Sequence, residues 1–104
     1  MKVDPGFHPE ARAELLAEID YLNHERPGLG DEFEQALYAA ADMIEMWPNA
    51  GAIWPDLATS VNVRSLGVRR FPFRVVYINE GNPFTVVAVA HTSREPGYWK
   101  HRVT

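Results

Sequence analysis

Three groups of side chains in this sequence have types and spacings that could do chemistry. The densest lies between Arg64 and Arg102. There Arg69-Arg70 stands directly ahead of Phe71-Pro72-Phe73-Arg74, followed by His91 and then by Arg94-Glu95-Pro96-Gly97-Tyr98-Trp99-Lys100-His101-Arg102. A guanidinium grips a phosphate or carboxylate through two parallel hydrogen bonds, and an aromatic face stacks on a base or anchors in a partner's pocket. The composition therefore fits an anion-binding surface. The competing reading is that Tyr98 and Trp99 pack down the C-terminal segment while the basic residues around them stay solvated. The second group is the carboxylate row Glu10, Glu14 and Glu18. Paired acids and metal ligation are its functional options, but i, i+4 spacing on an outer helix face beside Arg12 predicts solvated surface. The third is His8, His24, His91 and His101. No two of these stand at i, i+3 or i, i+4 and none falls in a ligand motif, so neither a metal site nor a cofactor is expected.

Charge divides the chain. Residues 1–56 hold three Lys or Arg against twelve Asp or Glu, a net −9, whereas residues 57–104 hold seven against two, a net +5. Opposite fields on one small body orient an encounter with an anionic target, although a charged helix face and a sheet with scattered arginines would give the same count. The length of 104 residues suits one domain spanning 1–104, and 46% apolar content argues against disorder. There is no cysteine, which removes disulfides and thiolate chemistry and fits a reducing cytoplasm. No apolar run is long enough for a secretory signal or a membrane span, so the expected location is cytoplasmic with no membrane partner.

The elements that must position these groups can be read from periodicity. Val3 to Phe7 reads as a short first strand and His8-Pro9-Glu10 as a helix start, with the helix running to about Arg26. Ala11, Leu15, Ile19 and Leu22 form its apolar stripe. Pro27-Gly28-Leu29-Gly30 breaks it. Asp31 then reads as the cap of a second helix, with Glu34 completing a capping box and Phe33, Leu37, Ala40, Ile44 and Trp47 as the stripe, ended by Pro48. An irregular stretch is expected from Asn49 to about Ser60. Strands follow at Val61 to Leu66, Phe73 to Ile78 and Phe84 to Ala90, the last two joined by the hairpin-like loop Asn79 to Pro83. Val68 to Phe71 either extends the first of these strands or forms a short one of its own. The predicted class is α+β, an N-terminal two-helix hairpin packed on a small antiparallel β-sheet. Alternation puts Phe73, Val75 and Tyr77 on one face of their strand and Arg74, Val76 and Ile78 on the other. An arginine among aliphatics either snorkels to the rim or is held there to meet an anion.

Four motifs, in order and at consistent spacing, resemble one family. They are Phe7-His8-Pro9-Glu10-Ala11, Arg26-Pro27-Gly28-Leu29-Gly30, Arg69-Arg70-Phe71-Pro72-Phe73 followed by Val76-Tyr77, and Ala88-Val89-Ala90-His91 through Pro96-Gly97-Tyr98-Trp99. Together they span nearly the whole chain and resemble the ParE branch of the ParE/RelE toxin superfamily of type II toxin–antitoxin (plasmid stabilisation) systems. The resemblance implies the same fold and a toxin neutralised by a ParD-like antitoxin, in a heterotetramer or larger assembly. It also implies inhibition of DNA gyrase by binding, with no sequence-specific DNA contact by the toxin itself. On that reading Arg69, Arg70, Arg74, His91, Arg94, Tyr98 and Trp99 would contact the target. The hairpin residues Leu15, Ile19, Leu22, Phe33 and Leu37, with the adjoining sheet edge, would offer the antitoxin an apolar groove. The RelE branch instead cuts mRNA on the ribosome, using several basic residues and often a C-terminal tyrosine. Arg74 and Tyr98 stand where two of those would fall. Thr92 takes the place of a third, unless the alignment slips by two positions and brings in Arg94.

Overall fold

The computed structural model describes residues 6–55, 62–79 and 84–103. The first helix begins where Pro9 and Glu10 predict, because proline fits the first turn and the His8 imidazole accepts from the Glu10 amide at 3.1 Å. This helix, α1 (Pro9–Glu25), follows a two-residue strand β1 (Gly6–Phe7). Val3 to Pro5, which the sequence adds to that strand, lie outside the described residues. The second helix, α2 (Leu29–Met46), starts earlier than expected, and its cap differs from the predicted capping box at Asp31 and Glu34. Gly28 occupies the cap at φ 91°, a left-handed conformation that glycine adopts without a Cβ clash. The capping oxygen comes from the other helix: Asn23 Oδ1 accepts from the Gly28 and Gly30 amides at 3.1 and 2.8 Å. The helices cross so closely that a Cβ on Gly30 would lie 2.1 Å from the Ile19 carbonyl oxygen.

The remaining strands are β2 (Ala52–Ile53), β3 (Val63–Gly67), β4 (Phe73–Ile78) and β5 (Thr85–His91). They build one five-stranded sheet of order β1-β5-β4-β3-β2, in which β2 arises within the stretch expected to be irregular. The pairings β2 to β5 are antiparallel, but β1 lies parallel to β5, across a long connection that contains both helices and the other strands. Val68 to Phe71 is a turn, with Arg70 in the left-handed region at φ 73°. Val61 and residues 80–83 of the β4–β5 loop lie outside the described residues.

The sheet is covered on both faces. On one, Phe73, Val75, Tyr77, Val86 and Val89 meet Ala11 and Leu15 of α1 and Phe33, Leu37, Ala40 and Ile44 of α2. On the other, Val63, Val76, Val87 and Ala88 pack around Trp99, which is 1% exposed. Tyr98 and Val103 flank it, so the segment after β5 folds back as the second cover. A register shift at Val76/Tyr77 places Val87 and Ala88 together on that second face. Trp47, predicted to continue the α2 stripe, is instead 64% exposed because the helix ends at Met46 and the chain turns away.

These caps predict two unequal glycine effects. Gly30→Ala forces the helices apart and is expected to cost about 3 kcal/mol, as overpacking does at a tight contact. Gly28→Ala meets nothing within 4 Å and carries only its left-handed strain, about 1 kcal/mol. Urea unfolding of the two variants measures the difference.

Candidate functional site

Glu14 is the centre of the C-terminal surface, although the carboxylate row predicts it to be solvated. It sits one position before Leu15 on α1 and points toward β5, where it is 19% exposed. Its Oε1 accepts from the Val89 amide at 3.0 Å and from Arg102 Nη1 at 3.0 Å; its Oε2 accepts from the Tyr98 hydroxyl at 2.6 Å and Arg102 Nη2 at 3.1 Å. Arg102 is 5% exposed at its side chain and also donates to the Val87 carbonyl at 3.0 Å. Burial works against the charge on Arg102, but Glu14 and Glu10 outweigh it and hold its pKa above the ordinary arginine value. Its Nε has no partner among the described residues.

This pair does the work of a missing strand. Among the described residues β1 pairs with β5 at Thr85 and Val86, with the His8 amide donating to the Val86 carbonyl at 2.8 Å. Beyond it, the outward carbonyl of Val87 and amide of Val89 would form an open sheet edge, and the two side chains fill them.

Tyr98 is fixed from both sides. Its hydroxyl donates to Glu14, and the Arg94 guanidinium lies over its ring 3.9 Å from the centroid. Burial first, and the hydrogen bond to Glu14 second, push its phenol well above the ordinary tyrosine range. Behind it a recess of about 150 Å³ opens on the sheet face away from the helices. Arg74, His91, Arg94, Tyr98 and Trp99 all border it, together with Trp54 and Ser65. Arg74 donates through Nε to the Ser65 hydroxyl at 3.1 Å and through Nη2 to the Ser65 carbonyl at 3.2 Å. His91 Nδ1 accepts from the Ser93 amide at 2.9 Å, which leaves the ring proton on Nε2, and its ring meets Phe73 edge-on. Thr92 also borders the recess.

The model of the ParE toxin of type II toxin–antitoxin systems, parDE, matches residues 6–96. The chain belongs to this family. Among solved structures, one described as the chromosomal ParDE TA system from P. aeruginosa has the same fold. It superposes with a TM-score of 0.67 at 20% identity, covering 86% of this chain and 96% of that one. No curated protein matches the sequence. No helix among the described residues is long and apolar enough to cross a membrane.

Within this ParE fold the predicted residues separate. Arg74, His91, Arg94 and Tyr98 meet at one recess, whereas Arg69 and Arg70 stand apart on the β3–β4 turn. Arg70 there pairs with Glu32 at 3.1 Å. Trp99 borders the recess but is core, which corrects its assignment to target contact. The proposed antitoxin groove is corrected too. Leu15, Phe33 and Leu37 are at most 1% exposed, and Ile19 and Leu22 pack against the same core, so the toxin's own sheet covers the hairpin stripe. Ser65 and Trp54 carry no signal in the sequence, and Glu14 and Arg102 stand out there without the role they take. Glu14 meets Tyr98 across 84 positions, and helical periodicity carries no signal for such a pair.

Removing Glu14 leaves Tyr98 and the Val89 amide without their acceptor and Arg102 with only the Val87 carbonyl and Glu10. Glu14→Ala is expected to cost about 3 kcal/mol, and a double-mutant cycle with Arg102→Ala to show a coupling of about 1.5 kcal/mol or more. Chemical denaturation of the four proteins reads both values. A raised phenol pKa stabilises the fold fully below the ordinary tyrosine value of 10.0, and the contribution is lost as pH rises through the folded value. In an alkaline absorbance titration, the difference between wild type and Tyr98→Phe should therefore appear above pH 10.0.

Proposed function

We propose that this toxin acts by binding DNA gyrase through the face around Arg74, Arg94 and His91, and that a ParD-like antitoxin neutralises it. Tyr98 supports binding over chemistry. Its hydroxyl proton is committed to Glu14, and a phenol held neutral beside a carboxylate is a poor proton acceptor for cleaving RNA. Thr92 adds no charge where the nuclease branch carries a basic residue. One observation favours the second reading, a ribosome-dependent mRNA endoribonuclease: Arg74, Arg94 and Tyr98 do surround a single recess.

The antitoxin surface is moved to the exposed apolar residues. Met43, Met46 and Trp47 at the end of α2 and Ile53 on β2 are each more than half exposed. Met43 also lines a trough of about 450 Å³ between Ala36, Ala39 and Ala40 of α2 and Leu66 to Arg69, at the end of β3 and just past it. Such a groove accepts an amphipathic helix or an added strand from a segment that folds on binding. The complex is proposed to be a heterotetramer or larger.

Micromolar toxin is expected to block supercoiling by purified gyrase or to accumulate cleavage complexes, and Arg74→Glu with Arg94→Glu to abolish the effect. Co-purified antitoxin should restore supercoiling for wild type but not for Met43→Lys, which keeps its inhibitory face. An inert toxin in this assay, together with ribosome-dependent cuts in a toeprint that vanish in Tyr98→Phe, would falsify the gyrase reading and establish the nuclease one.

A further inference from the structure

Two arginines at the recess carry charge that the described residues do not neutralise. Arg26 and Arg70 share Glu32, and Arg102 lies on Glu14 and Glu10. Arg74 and Arg94 have no carboxylate within ion-pair distance among the described residues, and Glu95, which borders the same recess, is not paired with either. Arg74 is nevertheless held in one orientation. Ser65, a polar residue buried on β3, gives it both its hydroxyl and its carbonyl oxygen. Arg94 is held over Tyr98. Ordering an arginine side chain costs rotamer freedom, and neither residue recovers that through an internal ion pair. Both stand exposed, so an anion from outside can reach two guanidinium groups that are already oriented.

The rest of the lining limits what that anion is attached to. Trp54, set edge-on against Trp99 at 5.0 Å, stands beside Val76 and Ala90, so apolar aromatic surface adjoins the two cations. A lone carboxylate would leave that surface unused. A phosphodiester carrying a flat base would use both, which is how strands are held without reading their sequence. The recess is small, about 150 Å³, which suits one nucleotide splayed out of a single strand better than a paired one.

We propose that the recess binds one nucleotide of single-stranded DNA, with its phosphodiester between Arg74 and Arg94 and its base against Trp54. This deepens the gyrase reading and rests on it for the source of the strand, namely DNA held open in the enzyme complex. The site itself can be tested without gyrase.

Fluorescence anisotropy of a labelled thymidine octamer, titrated with the full chain at low and then rising salt, is the experiment. Arg74→Glu and Arg94→Glu should each weaken binding at least about tenfold, and Trp54→Ala about tenfold through the lost stacking. Arg69→Glu, equally basic but outside the recess, should stay within about twofold. If Trp54→Ala unfolds, Ser65→Ala tests the same site by freeing Arg74, with an expected loss of about threefold and a smaller effect on salt dependence than Arg74→Glu. No binding up to about 100 µM, the weak limit of non-specific association, overturns the proposal. So does an equal loss for Arg69→Glu and Arg74→Glu, which would mean diffuse attraction, and so does equal affinity for an RNA octamer. Gyrase inhibition that depends on Arg74 without octamer binding would overturn the nucleotide site and leave the gyrase reading intact. Octamer binding without gyrase inhibition would do the reverse.

Discussion

A carboxylate shielded from water is tolerated only when donors surround it, and Glu14 has four. They come from β5, from Tyr98 and from both terminal nitrogens of Arg102, so one residue of α1 fastens the edge of the sheet and the segment that follows it. Losing Glu14 strands the Tyr98 hydroxyl and the Val89 amide at once, whereas losing one donor leaves part of a shielded carboxylate unsatisfied. Closure of β5, the set of Tyr98, the stacking of Arg94 and the shape of the recess are therefore one structure. Glu10 extends it outward. Its side chain is about half exposed, and the hydrogen bond from His101 holds its carboxyl below the ordinary range, with Arg102 adding to that effect.

Much of the fold is legible because its elements repeat locally. The α2 stripe at Phe33, Leu37, Ala40 and Ile44 is buried as its spacing requires, and β4 occupies the predicted residues with Arg74 on the face opposite Phe73. What periodicity cannot say is what covers a stripe. Leu15 and Leu37 look the same in sequence whether they meet the protein's own sheet or a partner, and here they meet the sheet. Caps that arrive from another element are equally hidden. Asn23 closes α2 from within α1, so the local signal at Asp31 and Glu34 points three residues too late. Trp99 illustrates the same limit: an aromatic in a basic stretch suits a binding face, yet it became the core of a second layer.

Charge counting needed the structure as well. The positive balance of the C-terminal half includes Arg70 and Arg102, which the acidic half neutralises internally through Glu32, Glu14 and Glu10. Part of the opposition between the halves is thus spent on holding them together. The cations left over at the recess are fewer than the sequence suggests, and they are placed by Ser65 and Tyr98 rather than scattered.

The parallel pairing of β1 with β5 has a consequence for synthesis. Gly6 and Phe7 leave the ribosome early, but their partners Thr85 and Val86 are made near the end of the chain, and the donors for Glu14 come later still. A nascent chain can form its helix hairpin from local contacts while the sheet and the recess wait for the last residues. The recess proposed to meet the target is thus among the last parts of the fold to form, and a chain still short of Arg102 lacks the donors that shape it.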